Sequence, residues 1–476
     1  MENWAFDLTL AEAAEATRGR ILAGDPYLRL GEIGTDTRTL AAGQTYLPIV
    51  GENFDGHDFL PQAVAAGANA LIAQHPPNDP PSHIAVLQVE DTTRAYGHIA
   101  RAHRRKMGTR MLALSGSSGK TTTKEMMASV LRQEGEVLAT EGNLNNHIGV
   151  PRTLLRLTPD HDFAVIETGM NHAGELNWLV EVAEPHAGLL THVGDAHIGN
   201  FGGSREGIAA AKAELIHGLP AGAPAILNAD CPYGVRLANE IAGRRDVILF
   251  GESPSTDVRA ANIAALADGR GYRFDLQIEG ESAPVELQVF GLYQVSNALA
   301  AAAGCHWFGL GADTIAHGLS RFAAPKMRSE REVIAGVTVI ADCYNASPSA
   351  TRAAMKSFAT LPVEGRRVLL LGDLFELGDA AEEHHRQLGR DAAALHFDRF
   401  VCYGPQARWM AESALADGLP TDHFLDPALA AHRLRELLAP GDALLAKGSR
   451  GARLERVLEE YRGLVQPPPA PAEAHS

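Results

Sequence analysis

Positive charge is in short supply in this chain. Its 476 residues carry 42 Lys and Arg against 58 Asp and Glu, a formal net charge of −16. That balance argues against a nucleic-acid-binding surface as the main task. It also means that an anionic substrate has to be held by local Lys, Arg and helix N-termini, because the overall field repels it. Cysteine is scarcer still. Cys231, Cys305, Cys343 and Cys402 are dispersed and form no CxxC pair, which indicates neither a zinc knuckle nor a disulfide framework and suits a reducing cytoplasm. No apolar run approaches the ~20 residues that span a bilayer. The opening stretch, Met1 to Gly19, is amphipathic and acidic, without the basic start and apolar region of a signal peptide. A cytoplasmic protein without membrane insertion is expected. There is no internal repeat. The chain is long enough for about two to four domains of ~100–200 residues.

What is present is a stretch that organises the rest, MLALSGSSGKTT, Met111 to Thr122. Met111 to Leu114 read as a buried strand. A small-residue loop follows, then Lys120, Thr121 and Thr122, then helical spacing from Thr123 to Glu134. Strand, glycine loop, Lys-Thr and helix make the layout of a phosphate-binding loop. Gly116 and Gly119 let the backbone bend so that successive N–H groups, including those of Ser117 and Ser118, converge on phosphate oxygens. The helix start adds partial positive charge. Lys120 reaches the outer phosphates, and the Thr121 hydroxyl suits Mg²⁺. The usual pattern places its first glycine at position 114. Here that residue is Leu114, so the loop is a GxxGKTT variant.

Around this loop the chain reads as alternating strands and helices, an α/β architecture with mostly parallel sheet. Residues 1–108 form a small α/β segment with two polar, turn-rich clusters, Asp36-Thr37-Arg38 and Asp55-Gly56-His57. From composition alone these are solvated loops. Arg101, Arg104, Arg105 and Lys106 end a helix, where a basic turn matches the helix dipole. Residues 109–325 hold the phosphate loop. They also hold Asn143 and Asn146 in GNLNNHIGVP, Glu167 at the end of a strand, His192 and His197 after another, Lys212 on the helix Arg205 to His217, and Asn297 in a small-residue helix. Strand ends are where ligands bind in open α/β sheets. Taken singly, Glu167 reads equally as a helix cap, the two histidines are poor metal evidence, and Lys212 reads as a solvated lysine. Residues 326–465 alternate again, with Asp342 and Asn345, then Asp373, Glu376 and His385, then Lys447 and Ser449 in polar loops after strands. Two such segments suggest a site in the cleft between them. The tail, 466–476, is Pro/Ala-rich and reads as disordered.

Together these motifs resemble the Mur ligases, ATP-dependent amino-acid-adding enzymes of peptidoglycan synthesis, from about Ile33 to Leu458. Among them the pattern is similar to the member that adds D-alanyl-D-alanine. The residues that carry the resemblance are GSSGKTTTKEM at Gly116 to Met126, NLNNHIGVP at Asn143 to Pro151, DCYNASP at Asp342 to Pro348, GDLFELG at Gly372 to Gly378 and KGSR at Lys447 to Arg450. The DNPR-type motif of the diaminoacid-adding member is absent.

The resemblance implies three domains: an N-terminal UDP-sugar-binding α/β domain, a central ATP-binding domain with a parallel sheet, and a C-terminal Rossmann-like domain. It implies that Gly116, Ser117, Ser118, Gly119, Lys120, Thr121, Thr122, Asn297, Arg328 and Asp342 bind ATP. Thr121 and Glu167 would hold one Mg²⁺, and His197 with a carbamate on Lys212 a second. Thr37, Arg38, Asp55, His57, Asn143, Asn146, Asn345, Asp373, Glu376, Lys447 and Ser449 would contact UDP-N-acetylmuramoyl-tripeptide or D-alanyl-D-alanine. Catalysis would rest on Lys120, Lys212, His197 and Arg328, in a monomer whose last domain closes over the central one. No residue stands out as a general base.

Departures are Ser347 where asparagine is commoner, Ala341 where aspartate is, Thr37 for serine, and Tyr293-Gln294 for His-Asn. Two other readings compete, a related ligase with another substrate and a nucleotide-driven switch. The first leaves the initial hundred residues unexplained. The second lacks a separate Walker B acidic pair.

Overall fold

The computed structural model describes residues 7–51 and 53–465. The expected disordered tail and the first six residues lie outside the described residues. Three sheets of five, nine and six strands follow one another along the chain. No helix among the described residues is long and apolar enough to cross a membrane.

The central sheet positions the site. Its middle strand, Arg110–Ser115, is buried from Met111 onward and pairs in parallel with Phe163–Glu167 on one side and Ala187–Leu190 on the other. Continuous apolar runs are what a strand covered on both faces requires. The register sets Leu114 opposite Glu167 and Ser115 opposite Leu190, so three strands end level with one another. Helices Lys120–Leu131 and Arg205–His217 leave from that edge. The remaining parallel strands, Val137–Ala139, Ala225–Asn228, Val247–Gly251 and Val258–Ala265, extend the sheet both ways. Two further strands, Tyr272–Ile278 and Glu281–Leu287, add an antiparallel meander. The mostly parallel reading misses that meander. Its burial alternates residue by residue, the mark of a sheet with one covered face.

The first sheet is small, with parallel pairing of Ile33–Gly34, Thr45–Tyr46, Ala70–Ala73 and Ala85–Gln88 and one antiparallel edge strand, Arg20–Ala23. The helix Thr92–Lys106 leads to the central unit. Its basic end does more than answer its own dipole. Arg104 is buried and donates to the carbonyls of Ala183 and Glu184, while Arg101 and Arg105 lie 2.7 and 2.5 Å from the Glu184 carboxylate. These arginines dock the first unit on the central one.

In the last sheet, Val337–Asp342, Ala443–Lys447, Arg367–Gly372, Arg399–Tyr403 and Thr421–Phe424 are parallel, and Glu330–Ile334 is an antiparallel edge. The chain enters this unit through Met327, Arg328 and Ser329. Met327 and Ser329 both adopt left-handed backbone, at φ 60° and 58°. Non-glycine residues hold that conformation at a cost, so the short link into the last unit is strained on both sides of Arg328.

Candidate active site

The loop between Ser115 and Lys120 is shaped by its glycines and by the neighbouring strand end. Gly119 sits at φ 81°, and a Cβ there would run into Asn297 Oδ1. A Cβ on Gly116 would strike the Thr191 hydroxyl. The Ser117 amide donates to the His192 carbonyl at 2.7 Å, and Thr191 Oγ1 donates to the Ser118 carbonyl at 2.6 Å. Helix Lys120–Leu131 has no side-chain cap, so its first amides remain open to a ligand. Ser117 Oγ is buried without a hydrogen-bond partner. An orphaned hydroxyl beside uncapped amides fits a phosphate group.

Lys120 Nζ donates to the Gly116 carbonyl at 2.9 Å, folded back across the loop. Burial pulls its ammonium below the ordinary lysine range. Glu167 and Glu376 oppose that shift and Arg328 adds to it. Thr121 Oγ1 donates to Glu167 Oε2 at 2.8 Å, and Asn145 Nδ2 donates to Glu167 Oε1 at 2.7 Å. The Glu167 backbone is tied to Thr140 Oγ1 at 2.9 Å. Glu167 is therefore buried with both oxygens aimed by neighbours. Lys212 is 1% exposed, and burial together with the charge of Lys120 pushes its ammonium well below the ordinary range. Among the described residues, no three His, Cys, Asp or Glu side chains gather into a ready metal cluster.

The last unit meets this edge directly. His197 Nδ1 lies 2.6 Å from Glu376, and the Gly199 amide donates to the Glu376 carbonyl at 3.0 Å. The Arg328 guanidinium stacks over Tyr344, 4.0 Å from the ring centroid. Strand register places Asp342 opposite Lys447, and they form an ion pair at 2.7 Å. The second oxygen of Asp342 accepts from the Ser329 amide at 3.1 Å.

Several expected residues sit apart from one another. Asn143 and Asn146 are exposed, and Asn146 Oδ1 shapes the turn before the next helix by accepting from the Ile148 and Gly149 amides. Their neighbour Asn145 is the residue that reaches Glu167, which the sequence reading passed over. Asp373 is turned inside the last unit and accepts from the Ala407 amide at 2.7 Å. Ser449 is buried and staples two loops, accepting from the Phe375 amide and donating to the Ala346 carbonyl. Asn345 is exposed. Asn297 donates to Gln294 Oε1 at 2.8 Å.

In the first unit, Arg38 grips Asp36 at 2.6 Å with its guanidinium in water, and Thr37 is half-buried between them. Asp55 faces His57 Nδ1 at 2.6 Å, and His57 Nε2 accepts from the Gln74 amide at 3.0 Å. Both ring nitrogens of His57 are thus used in shaping the loop.

Three family profiles cover almost all of this arrangement: Mur ligase family, catalytic domain, over residues 29–104; Mur ligase middle domain over 114–305; and Mur ligase, glutamate ligase domain over 327–450. The UDP-N-acetylmuramoyl-tripeptide--D-alanyl-D-alanine ligase of Escherichia coli (strain K12) is 38% identical over 456 residues, covering 95% of this chain and 98% of its own.

This chain belongs to the Mur ligase family.

Solved Mur ligase structures share its shape. MurF from Acinetobacter baumannii superposes with a TM-score of 0.88 at 33% identity, covering 96% of this chain and 99% of its own. MurF ligase from Thermotoga maritima in complex with ADP gives 0.81 at 26% identity, covering 90% and 97%. A Mur ligase of three α/β units is what the sequence reading anticipates.

Proposed function

We propose that this chain joins D-alanyl-D-alanine to UDP-N-acetylmuramoyl-tripeptide, cleaving ATP to ADP and phosphate and giving UDP-N-acetylmuramoyl-pentapeptide for peptidoglycan synthesis in the cytoplasm. The relative from Escherichia coli supports the substrates and the ADP complex of the Thermotoga maritima relative supports the nucleotide. The observation that carries the reading is the meeting of a unit with an open phosphate loop and the last unit at the His197–Glu376 contact. In this reading residues 1–108 take the UDP-sugar, 109–325 take ATP and 326–465 take the dipeptide.

A carboxylate is a poor electrophile because its charge is delocalised. Transfer of the γ-phosphoryl group to the terminal carboxylate of the tripeptide gives an acyl phosphate. The dipeptide amine then attacks the carbonyl carbon, and phosphate leaves with the electron pair. Positioning and charge neutralisation dominate such transfers. Lys120 swings from the Gly116 carbonyl onto phosphate oxygens, and the uncapped amides of the loop fix the β-phosphate side. Arg328 supplies the second positive charge from the last unit. Asp342, already oriented by Lys447 and Ser329, faces the nucleoside. Closure of the last unit keeps water from the acyl phosphate.

Glu167 and Thr121 are hard oxygen donors 2.8 Å apart and fit Mg²⁺. Bound there, Mg²⁺ supplies neutralisation of phosphate charge. Lys212 fits carbamylation because burial favours the neutral amine, which adds to CO₂ with loss of a proton. The product places an anion beside Lys120. His197, turned by Glu376 at Nδ1, would offer Nε2 to a metal.

The test is phosphate release from ATP with Mg²⁺, UDP-N-acetylmuramoyl-tripeptide and D-alanyl-D-alanine, leaving out each in turn, with product mass read by mass spectrometry. Release that needs both substrates, with pentapeptide formed, supports the ligase. Release indifferent to both contradicts it and favours a nucleotide switch.

A further inference from the structure

We infer that Asp195 is a positioning residue that latches the last unit over the phosphate loop, acting through Ser349; the inference rests on the ligase reading. Asp195 lies on the turn after strand Ala187–Leu190 and is 1% exposed. A carboxylate so removed from water needs partners. Two of its hydrogen bonds come from the other unit. The Ser349 amide donates to Asp195 Oδ1 at 3.1 Å, and the Ser349 hydroxyl donates to the same oxygen. Arg205, 3.3 Å away at the start of the Lys212 helix, and the Asp195 amide are the partners from the central unit among the described residues.

Ser349 stands in the first turn of helix Pro348–Ala359, where amides lack partners and the helix end is partially positive. Asp195 thus caps a helix of a different domain. Ser347, the local cap, accepts from the Ala350 amide at 3.4 Å and lies 3.3 Å from the Ser349 hydroxyl. The approach is tight on both sides. A Cβ on Gly194 would lie 3.0 Å from Ser349 Oγ, and one on Gly199 would run into the Gly378 amide. Opening at the Met327–Ser329 link would strip Asp195 of Ser349 and expose the helix start. Closing restores both and brings Arg328 within electrostatic reach of Lys120. Neither Asp195 nor Ser349 belongs to the nucleotide or substrate contacts above, so the pair adds to the closing equilibrium beside the His197–Glu376 contact without touching ligand.

A loosened latch leaves the acyl phosphate open to water, which attacks its carbonyl carbon, releases phosphate and regenerates the tripeptide carboxylate. The readout is therefore the ratio of phosphate released to pentapeptide formed, alongside the spin-label distance between central and last units with ATP, Mg²⁺ and substrates present. In Asp195→Ala and, independently, Ser349→Ala, we expect the ratio to rise above the wild-type value, kcat to fall about ten-fold, and the interdomain distance to lengthen. ATP affinity stays within two-fold or so, because the phosphate loop is untouched. Asp195→Asn, which keeps an acceptor oxygen, recovers part of the coupling. A merely structural role would lower stability without moving the ratio. A wild-type ratio and distance in both alanine variants overturns the latch. Should the wild type make no pentapeptide, the ligase reading fails, and the distance alone decides the latch.

Discussion

At the phosphate loop, the functional side chains are held by the chain itself. Glu167 is buried, with Thr121 and Asn145 on its two oxygens, and Lys120 is folded onto Gly116. In the first unit, Arg38 has 86% of its side chain in water and pairs with its own Asp36, on a loop between two-residue strands. One region is organised before any ligand arrives. The other spends its order on loop shape, through His57, and leaves its cation in water, paired with the neighbouring Asp36. Chemistry needs the first arrangement, because charge development is stabilised best by groups that need not reorganise. Capture of a large anionic substrate by an acidic protein needs the second, a solvent-exposed cation that can exchange its neighbouring carboxylate for the substrate.

The contrast has consequences at four levels of effect. Lys120→Ala should lower kcat by about 10³-fold in the coupled phosphate assay, since it removes a donor aimed at the transferring group. Glu167→Gln should cost about 10²-fold in kcat and raise the Mg²⁺ concentration needed for half-maximal activity. Equal Mg²⁺ dependence in variant and wild type would break the assignment of Glu167 to the metal. Arg38→Ala should raise KM for the UDP-sugar substrate on the order of ten-fold, leaving kcat near wild type. A fall in kcat instead would mean that the first unit is as preorganised as the second.

The smallest effect concerns Asp55. The His57 amide and then its imidazole hold this carboxyl below its ordinary value of 3.8. A lowered value in the folded state contributes stability that is complete above the unfolded value and is lost as pH falls through the folded one. Asp55→Asn should therefore trail the wild type by less than about 1 kcal/mol at neutral pH. Melting curves of the two should merge in acid.

The same division governs what was legible in the residues. The phosphate loop and its flanking strand read off directly, because strand, small-residue turn and Lys-Thr are contiguous. The helix Arg205–His217 and the strand Ala225–Asn228 have the bounds that their apolar spacing suggests. Contacts set by register or by closure were not legible. Asp342 and Lys447 are 105 residues apart and pair because two parallel strands align them. Asp195 and Ser349 are 154 apart and meet only across two units. In the run Leu144-Asn145-Asn146-His147, backbone geometry alone decides which asparagine turns inward. The fates of Asp373 and Ser449, spent on ties to the Ala407 amide and the Phe375 amide, likewise follow from packing that no local pattern encodes.

The most direct test of the central claim, that the loop at Gly116–Thr122 activates a carboxylate by phosphorylation, is an isotope transfer. The tripeptide substrate is labelled with ¹⁸O in its terminal carboxylate and turned over with ATP, Mg²⁺ and D-alanyl-D-alanine, and the phosphate released is analysed by mass spectrometry. Attack of the carboxylate oxygen on the γ-phosphorus places one ¹⁸O in each phosphate formed. Unlabelled phosphate accompanying pentapeptide formation would contradict the account.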